Sequence, residues 1–198
     1  MRIIVMNHLT FDGVMQAPGR ADEDTRDGFA HGGWASATIN SPDPEIGAAI
    51  GARMAQSDGL LLGRRTYEDL LASWNAQGGP FKDALNHAPK YVASTTLTEP
   101  LPWPNSVLLG ADTVAEVREL KTRPGRELHI LGSGQLINTL MRHRLVDEFM
   151  LSIHPIVLGS GRRLFPDNGT YTALELIEAK ATNTGVMIAT YRCAGEPS

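Results

Sequence analysis

The hydrophobic and polar positions of this chain follow two periods, and the change between them predicts strands that alternate with helices. Short apolar runs rich in Leu, Ile and Val predict buried strands, whereas apolar residues spaced three and four apart predict amphipathic helices. The predicted strands cover residues 2–9, 60–62, 90–94, 106–109, 127–131, 147–155, 174–179 and 186–192. The predicted helices cover residues 66–74, 113–121 and 135–143, and a further helix over 46–54 is entered through residues 41–45.

The order of these elements predicts the fold class. Strand–helix repeats are followed by three closing strands without intervening helices. This order is typical of a three-layer α/β/α protein, in which a mostly parallel central sheet gains antiparallel strands at its C-terminal edge. We expect a single domain over residues 1–193 and a short tail over 194–198. The irregular segment 16–44 is long for a compact domain, and such segments are usually lids or binding loops.

Composition narrows the class of partner. The 198-residue chain has a net charge of −4, which argues against nucleic acid binding because a basic face would be needed. No apolar stretch approaches the length that spans a bilayer, so we expect no membrane partner. The lone Cys193 excludes an intrachain disulfide and, with no signal-peptide pattern at the N-terminus, favours a reducing, cytoplasmic compartment.

Two predicted strands run into glycine immediately before a predicted helix. One junction is Gly63-Arg64-Arg65-Thr66 and the other is Gly132-Ser133-Gly134. A helix start directs unpaired N–H groups beyond the strand end, which suits phosphate, and an arginine can hold a phosphate with two donors. Taken alone, the first junction is better explained as an ordinary capped helix with two solvated arginines, and the second fits a tight turn as well as a phosphate site.

A third segment makes this pair of junctions more informative. Residues 90–96 supply hydroxyl groups, among them those of Ser94 and Thr95, just past another predicted strand end. Open α/β sheets bind ligands at the carboxyl ends of their strands, so all three segments can converge on one ligand. Two anion sites on one small domain favour a dinucleotide over a mononucleotide.

Two further residues are candidates for contact with a small-molecule substrate. Asp12 follows the first strand in an Asp-Gly turn, where it could bind a polar substrate or cap its own turn. Trp34 lies in a glycine-rich loop, where its ring could stack on a ligand or anchor the loop in the core. The six histidines lack metal-ligand spacing, so we expect no metal site, and no catalytic residue stands out.

Together these segments resemble the dihydrofolate-reductase-like superfamily, and within it the RibD C-terminal domain family of riboflavin-biosynthesis reductases. The resemblance runs from the first strand to about Arg192. It is carried by residues 61–68, 90–97 and 130–134. The most specific piece is residues 154–165, whose Leu-Gly-Ser-Gly-Arg-Arg-Leu-Phe run is similar to a signature of the riboflavin-reductase branch.

This resemblance implies a stand-alone NADPH-dependent oxidoreductase that passes hydride to a small heterocycle, such as the riboflavin-pathway pyrimidine intermediate or dihydrofolate. It implies that cofactor phosphates lie at Gly63, Arg64, Arg65 and Thr66, with the adenosine 2′-phosphate near Ser94 and Thr95. The pyrophosphate would lie at Gly132, Ser133, Gly134 and Gln135. The nicotinamide would be flanked by Val14 and Met15. The carboxylate that binds pteridine in folate reductases would fall near Gly47, with Glu45 and Asp43 slightly early, which disfavours dihydrofolate.

Two matters stay open at the level of sequence. A nucleotide- or metabolite-binding protein without turnover is the alternative to an enzyme, because no proton donor is identified. A homodimer is expected, since the β-rich C-terminal third has sheet edge to cover and residues 145–157 are strongly apolar.

Overall fold

The computed structural model describes residues 1–41 and 45–194, and within them strands and helices follow in the predicted order. The elements are β1 (Arg2–Thr10), α1 (Ser36–Ile39), α2 (Glu45–Met54), β2 (Ser57–Gly63), α3 (Arg64–Gln77), α4 (Pro80–His87), β3 (Lys90–Ala93), β4 (Ser106–Leu109), α5 (Thr113–Thr122), β5 (Glu127–Leu131), α6 (Gly134–Arg142), β6 (Glu148–His154), β7 (Leu174–Ala181) and β8 (Met187–Cys193). The predicted helix entry at 42–44 and the end of the predicted tail, 195–198, lie outside the described residues.

One eight-stranded sheet forms the middle layer, in the order β4-β3-β2-β5-β1-β6-β8-β7. From β4 to β6 every neighbouring pair is parallel, and β8 runs antiparallel to both β6 and β7. The mostly parallel sheet with an antiparallel C-terminal edge is therefore confirmed. Of the three closing strands, β6 continues the parallel set beside β1, and the antiparallel pairing begins at β8.

Helices cover both faces of this sheet. On one face, α5 and α6 pack apolar residues against β1, β2, β5 and β6. On the other face, α2 packs Ile46 against Ile4 and Met150, while α3 and α4 pack Tyr67 and Leu85 against β2 and β3. The buried central strands are apolar on both faces, as a parallel sheet between two helical layers requires. None of the helices in the described parts of the chain is long and apolar enough to cross a bilayer.

Two helices were not predicted: the four-residue α1, within the irregular segment 16–44, and α4. The residues 77–80 indicate the end of a helix, and α3 does end at Gln77, but a new helix starts at once with proline at its first position. The fully buried Lys90 stabilises the end of α4, since its Nζ donates to the carbonyl oxygens of Leu85 and Ala88. Burial lowers the pKa of Lys90 to about 8.

Candidate functional site

A cleft of about 2300 Å³ opens at the carboxyl ends of β1, β2, β3 and β5. All three strand-end segments singled out in the sequence contribute to its walls. The predicted site residues that line it are Met15, Gly63, Arg64, Arg65, Thr66, Ser94, Thr95, Gly132, Ser133, Gly134 and Gln135. The parallel arrangement of these strands brings their ends to one rim, which is where open α/β sheets place ligands.

The β2–α3 and β5–α6 junctions are hydrogen-bonded to each other. The backbone N–H of Gly63 donates to Oγ of Ser133 (3.0 Å), and the backbone N–H of Ser133 donates to Oγ1 of Thr66 (2.9 Å). Two segments 70 residues apart in sequence are thereby locked side by side. The hydroxyl groups of Ser133 and Thr66 thus fix the geometry of the junctions.

Asn7 of β1 adds a second clamp on the β5–α6 junction. Its Nδ2 donates to the carbonyl oxygen of Gly132 (3.2 Å), and its Oδ1 accepts from the N–H of Gly132 (2.8 Å). The side chain is almost fully buried, so these bonds satisfy an amide that would otherwise be costly to bury. Sequence analysis missed Asn7; the available signal is a single amide in the middle of an apolar strand.

Glycine is required at this junction by close approach. Gly132 has φ +52, and a Cβ added there would lie 2.8 Å from Oγ1 of Thr66. A Cβ on Gly134 would lie 2.9 Å from Sδ of Met15, which belongs to the loop after β1. A side chain at Gly132 would therefore press on Thr66 in a left-handed backbone conformation, whereas one at Gly134 would displace only the flexible end of Met15.

Two helices begin at these junctions without side-chain caps. The first-turn N–H groups of α3 and α6 have no capping side chain. The two helices are 14 and 9 residues long. Unpaired N–H groups and the helix dipole together attract anions. Arg64 is paired with Glu68 at 3.1 Å, whereas the exposed Arg65 forms no ion pair with any described residue and remains available to a ligand.

The third segment supplies a turn and exposed hydroxyl groups. Oγ of Ser94 accepts the N–H groups of Thr96 (3.1 Å) and Leu97 (3.0 Å), which shapes the turn after β3. Thr95 and Thr96 stand exposed at the cleft. Ser94 is therefore engaged in its own turn, and the two threonines are the more accessible donors.

The segment after β1 folds over one end of the cleft. Gln16, almost fully buried, donates to the carbonyl oxygens of Asp24 (3.2 Å) and Arg26 (3.1 Å) and accepts from the N–H of Arg162 (2.9 Å). Arg20 crosses to α3, where it forms an ion pair with Asp69 and donates to Oγ of Ser73 (3.1 Å). The segment thus contains a short α1 and a hydrogen-bonded loop that closes against α3.

The wall opposite the junctions comes from α2. Gly47, Ile50, Gly51 and Met54 line the cleft, and a Cβ added at either glycine would meet nothing within 4 Å. Glu45 faces away from the cleft, since its carboxylate pairs with Lys180 at 2.7 Å. No carboxylate in the described part of α2 reaches the cleft, and Asp43 lies outside the described residues.

Three predicted site residues do not line the cleft. Asp12 accepts from Oγ1 of Thr10 (2.6 Å) and from the N–H of Gly159 (2.9 Å), and these hydrogen bonds hold the pKa of Asp12 at about 2. Val14 is fully buried against Phe29. Trp34 donates from Nε1 to the carbonyl oxygen of Gln16 (2.7 Å), so it anchors the loop. These contacts agree with the alternative roles of a turn aspartate for Asp12 and a loop anchor for Trp34, and a substrate contact at either residue stays a prediction.

No group of three or more His, Cys, Asp or Glu side chains within residues 1–41 and 45–194 is arranged to hold a metal ion. The carboxylates that line the cleft already accept from protein donors. They are those of Glu23, Asp24, Glu68 and Asp69. The site is therefore built for binding through N–H groups and guanidinium groups.

The fold and the cleft define a protein of the dihydrofolate-reductase-like type. The family model of the RibD C-terminal domain matches residues 2–188, so the chain belongs to that family. It is 31% identical over 177 residues to the uncharacterized protein YyaP of Bacillus subtilis (strain 168), which covers 86% of this chain and 92% of YyaP. YwjB of the same organism is 35% identical over 69 residues, 35% of this chain and 40% of YwjB.

Three solved structures share the fold. A putative riboflavin biosynthesis protein from Shewanella sp. PV-4 has a TM-score of 0.74 at 24% identity, covering 98% of this chain and 100% of that one. A pyrimidine reductase-like protein from Corynebacterium diphtheriae has a TM-score of 0.64 at 13% identity, covering 98% and 92%. Dihydrofolate reductase from Enterococcus faecalis, complexed with NADP(H), has a TM-score of 0.57 at 12% identity, covering 98% and 97%. Family and fold together support a reductase-type function.

Proposed function

We propose that this protein is an NADPH-dependent reductase that transfers hydride to a small heterocyclic substrate. The observation that carries the proposal is the pair of interlocked helix starts, α3 and α6, which begin side by side at one rim without side-chain caps. Two neighbouring anion-binding helix starts match the linked phosphates of a dinucleotide. Support also comes from two structural neighbours, one a pyrimidine reductase-like protein and one a dihydrofolate reductase complexed with NADP(H).

The residues at the rim fit this cofactor. The N–H groups of Gly134 and Gln135 at the start of α6 suit the pyrophosphate, because Gly132 and Gly134 leave the backbone open. Arg65 at the start of α3 adds a guanidinium group that no carboxylate within residues 1–41 and 45–194 holds. Ser94, Thr95 and Thr96 after β3 offer hydroxyl groups for the phosphate on the adenosine side.

The chemistry of the reduction belongs to the cofactor, and the chain supplies orientation and solvent exclusion. When bound, reduced nicotinamide would supply a hydride to a carbon of the acceptor, whose π electron pair would move to the adjacent heteroatom and be protonated there by water. The apolar α2 wall offers a surface for a planar acceptor ring. The carboxylate-free face of α2 favours an uncharged heterocycle over dihydrofolate.

Arg65→Ala is expected to weaken NADPH binding about 10- to 100-fold, equivalent to about 1–3 kcal/mol for lost charge-assisted hydrogen bonds. The measurement is a titration of the protein with NADPH, followed by nicotinamide fluorescence. Arg118→Ala, at an exposed position on α5, is the matched control and should bind like the wild type. Absence of saturable wild-type binding below millimolar NADPH would refute the proposal, and unchanged affinity in Arg65→Ala would remove the assigned role of Arg65.

We also propose that the protein forms a homodimer through β7. All eight residues of this edge strand are exposed, among them Leu174, Leu176 and Ile177. An exposed apolar edge strand invites pairing with another chain, and a second copy is the simplest partner. The apolar segment 145–157 contributes little to this surface, because most of its residues are buried within the subunit.

Sedimentation velocity at micromolar concentration should show a dimer for the wild type. Leu176→Lys should shift the species toward a monomer, because a charge would replace a half-exposed apolar side chain on β7. Val107→Lys, on the opposite edge strand β4, is the matched control. A wild-type monomer at these concentrations would contradict the proposed dimer.

A further inference from the structure

The floor of the cleft beside α2 carries two polar groups in an apolar setting. His8 of β1 and Ser152 of β6 are register partners on neighbouring strands, and both line the cleft. Met6 and Met150, two residues earlier on the same strands, line it as well. Burying a charge on such a floor without a partner is costly, so the floor suits an uncharged planar molecule with a polar edge.

His8 is held by a hydrogen-bond chain that leads away from the cleft. Its Nδ1 lies 3.0 Å from Nε2 of His154, and Nδ1 of His154 lies 2.8 Å from Oγ1 of Thr38. The Thr38 hydroxyl group is also 2.9 Å from the carbonyl oxygen of Ala35. The rings of Trp34 and His154 meet at 89°, with their centroids 5.2 Å apart, which restricts the His154 ring further.

Nε2, the second ring nitrogen of His8, is the end of this hydrogen-bond chain that faces the cleft. Nε2 of His8 has no hydrogen-bond partner within the described residues and is not among the fully buried unpaired atoms. The residue next to it, Asn7, clamps Gly132 of the β5–α6 junction. Successive side chains of a strand point to opposite faces, so the His8 imidazole lies on the α2 face of β1 with Ile4 and Met6, and it lines the same cleft as the junction.

A chain of hydrogen bonds between two neutral imidazole rings and a hydroxyl group allows two arrangements of its protons. Burial lowers the pKa of both histidines to about 4, so both rings are neutral near pH 7. When the Thr38 hydroxyl group donates to Ala35, the ring N–H groups point toward Thr38, and Nε2 of His8 is an acceptor. When the hydroxyl group donates to His154, the N–H groups point toward the cleft, and Nε2 of His8 is a donor.

We propose that His8 is the catalytic hydrogen-bond donor of this site and that His154 and Thr38 are positioning residues. The inference rests on the proposed reductase function. Hydride addition to a neutral C=N or C=O group leaves the π electron pair on the heteroatom, and the Nε2–H of His8 stabilises that atom until water protonates it. His8 returns unchanged, since its proton is not consumed. Fixed donors at a developing charge are worth large rate factors because they need no reorganisation.

Variants of His8 separate a donor role from a packing role. The acceptor is found by screening neutral heterocyclic imines and carbonyl compounds for NADPH oxidation. His8→Leu should lower kcat about 100-fold, in the range measured for loss of one such donor, with NADPH affinity within about twofold of wild type. His8→Gln keeps a neutral N–H donor near the Nε2 position and should retain kcat within about tenfold. His143→Gln, at an exposed position after α6, is the matched control.

Variants of Thr38 test the positioning role. Thr38→Val removes the hydroxyl group that holds the His154 ring in line with His8, so kcat should fall while NADPH affinity stays unchanged. Thr38→Ser should restore kcat, because it returns the hydroxyl group without the methyl group. A fall in both variants, or in neither, would overturn the role assigned to Thr38.

Nitrogen NMR provides a readout that needs no turnover. In ¹⁵N-labelled protein with NADP⁺, both rings should be neutral at pH 7, and neutral carbonyl probes such as uracil should shift the His8 ring signals. Equal kcat in wild type and His8→Leu, or His8 signals that no neutral probe perturbs, would overturn the role of His8 while leaving the reductase proposal intact. Absence of NADPH binding by the wild type would overturn the reductase proposal itself.

Discussion

Glu127→Gln is expected to lower the free energy of unfolding by about 3–5 kcal/mol, the cost of breaking a buried ion pair by changing one partner. The Glu127 side chain is 2% exposed and accepts from Nε and Nη2 of Arg53 (both 2.9 Å), from Arg2 and from Nε2 of His129 (2.9 Å). Glutamine has one acceptor oxygen and an NH₂ group that would face these donors. Urea denaturation of both proteins measures the difference.

The ion cluster around Glu127 also holds the α2 wall of the cleft in place, because Arg53 belongs to α2. Arg53 also donates to Glu148 (2.8 Å), so α2 is bound to β5 and β6 near their amino ends. Loss of the Glu127 carboxylate should therefore loosen the helix that lines the cleft. Glu175→Gln is the matched control: its partner Arg192 lies 3.6 Å away on an exposed surface, and the change should stay within about 0.5 kcal/mol.

The pH dependence of this difference has a defined sign. Burial acts to raise the pKa of Glu127, but the hydrogen bond from His129 and the charges of Arg53 and Arg2 outweigh it, and the pKa is lowered. A lowered carboxyl pKa gives stabilisation that is present above the ordinary glutamate pKa and is lost as pH falls through the folded value. The gap between wild type and Glu127→Gln should shrink on acidification. A gap below about 1 kcal/mol at pH 7 would contradict the ion-cluster account.

Local patterns suffice for most of this fold. The apolar runs of β2 and β5, and the glycine that ends each, identify buried parallel strands and the helix starts after them. Parallel strands then bring these ends to one rim, so the placement of the two junctions at the cleft follows from sequence order. The helix α4 was not predicted, because its eight residues follow two glycines that indicate only the end of the preceding helix.

The contacts that complete the site link residues far apart in the chain. Asn7 meets Gly132 across 125 positions, and His8 meets His154 across 146, and no local spacing indicates either pair. For Asp12 and Trp34, turn chemistry and loop position left a ligand role and a structural role both open, and the partners that the structure shows are protein groups. A polar residue inside an apolar strand, as with Asn7 and His8, is the signal that sequence reading can use.

Gly132→Ala should both destabilise the protein and weaken NADPH binding, because Gly132 lies where the two junctions interlock. An alanine at φ +52 costs about 1–2 kcal/mol, and its Cβ would lie 2.8 Å from Oγ1 and 3.1 Å from Cγ2 of Thr66. That oxygen accepts the N–H of Ser133, so relieving the overlap breaks the bond between the junctions. We expect a total loss of about 2–4 kcal/mol in unfolding free energy and at least about tenfold weaker NADPH binding.

Gly28→Ala separates backbone strain from crowding. Gly28 has φ +72, but a Cβ there meets nothing within 4 Å, and the residue is absent from the cleft walls. This variant should lose only the stability that the strained backbone conformation costs, and it should bind NADPH normally.

In a double-mutant cycle, Thr66→Ala should make Gly132→Ala less damaging by removing the atoms that the new methyl group meets, with a coupling of about 0.5–3 kcal/mol. Additive losses in that cycle would show that Gly132 is needed only for its backbone conformation, and the interlocked junction would then not explain the glycine.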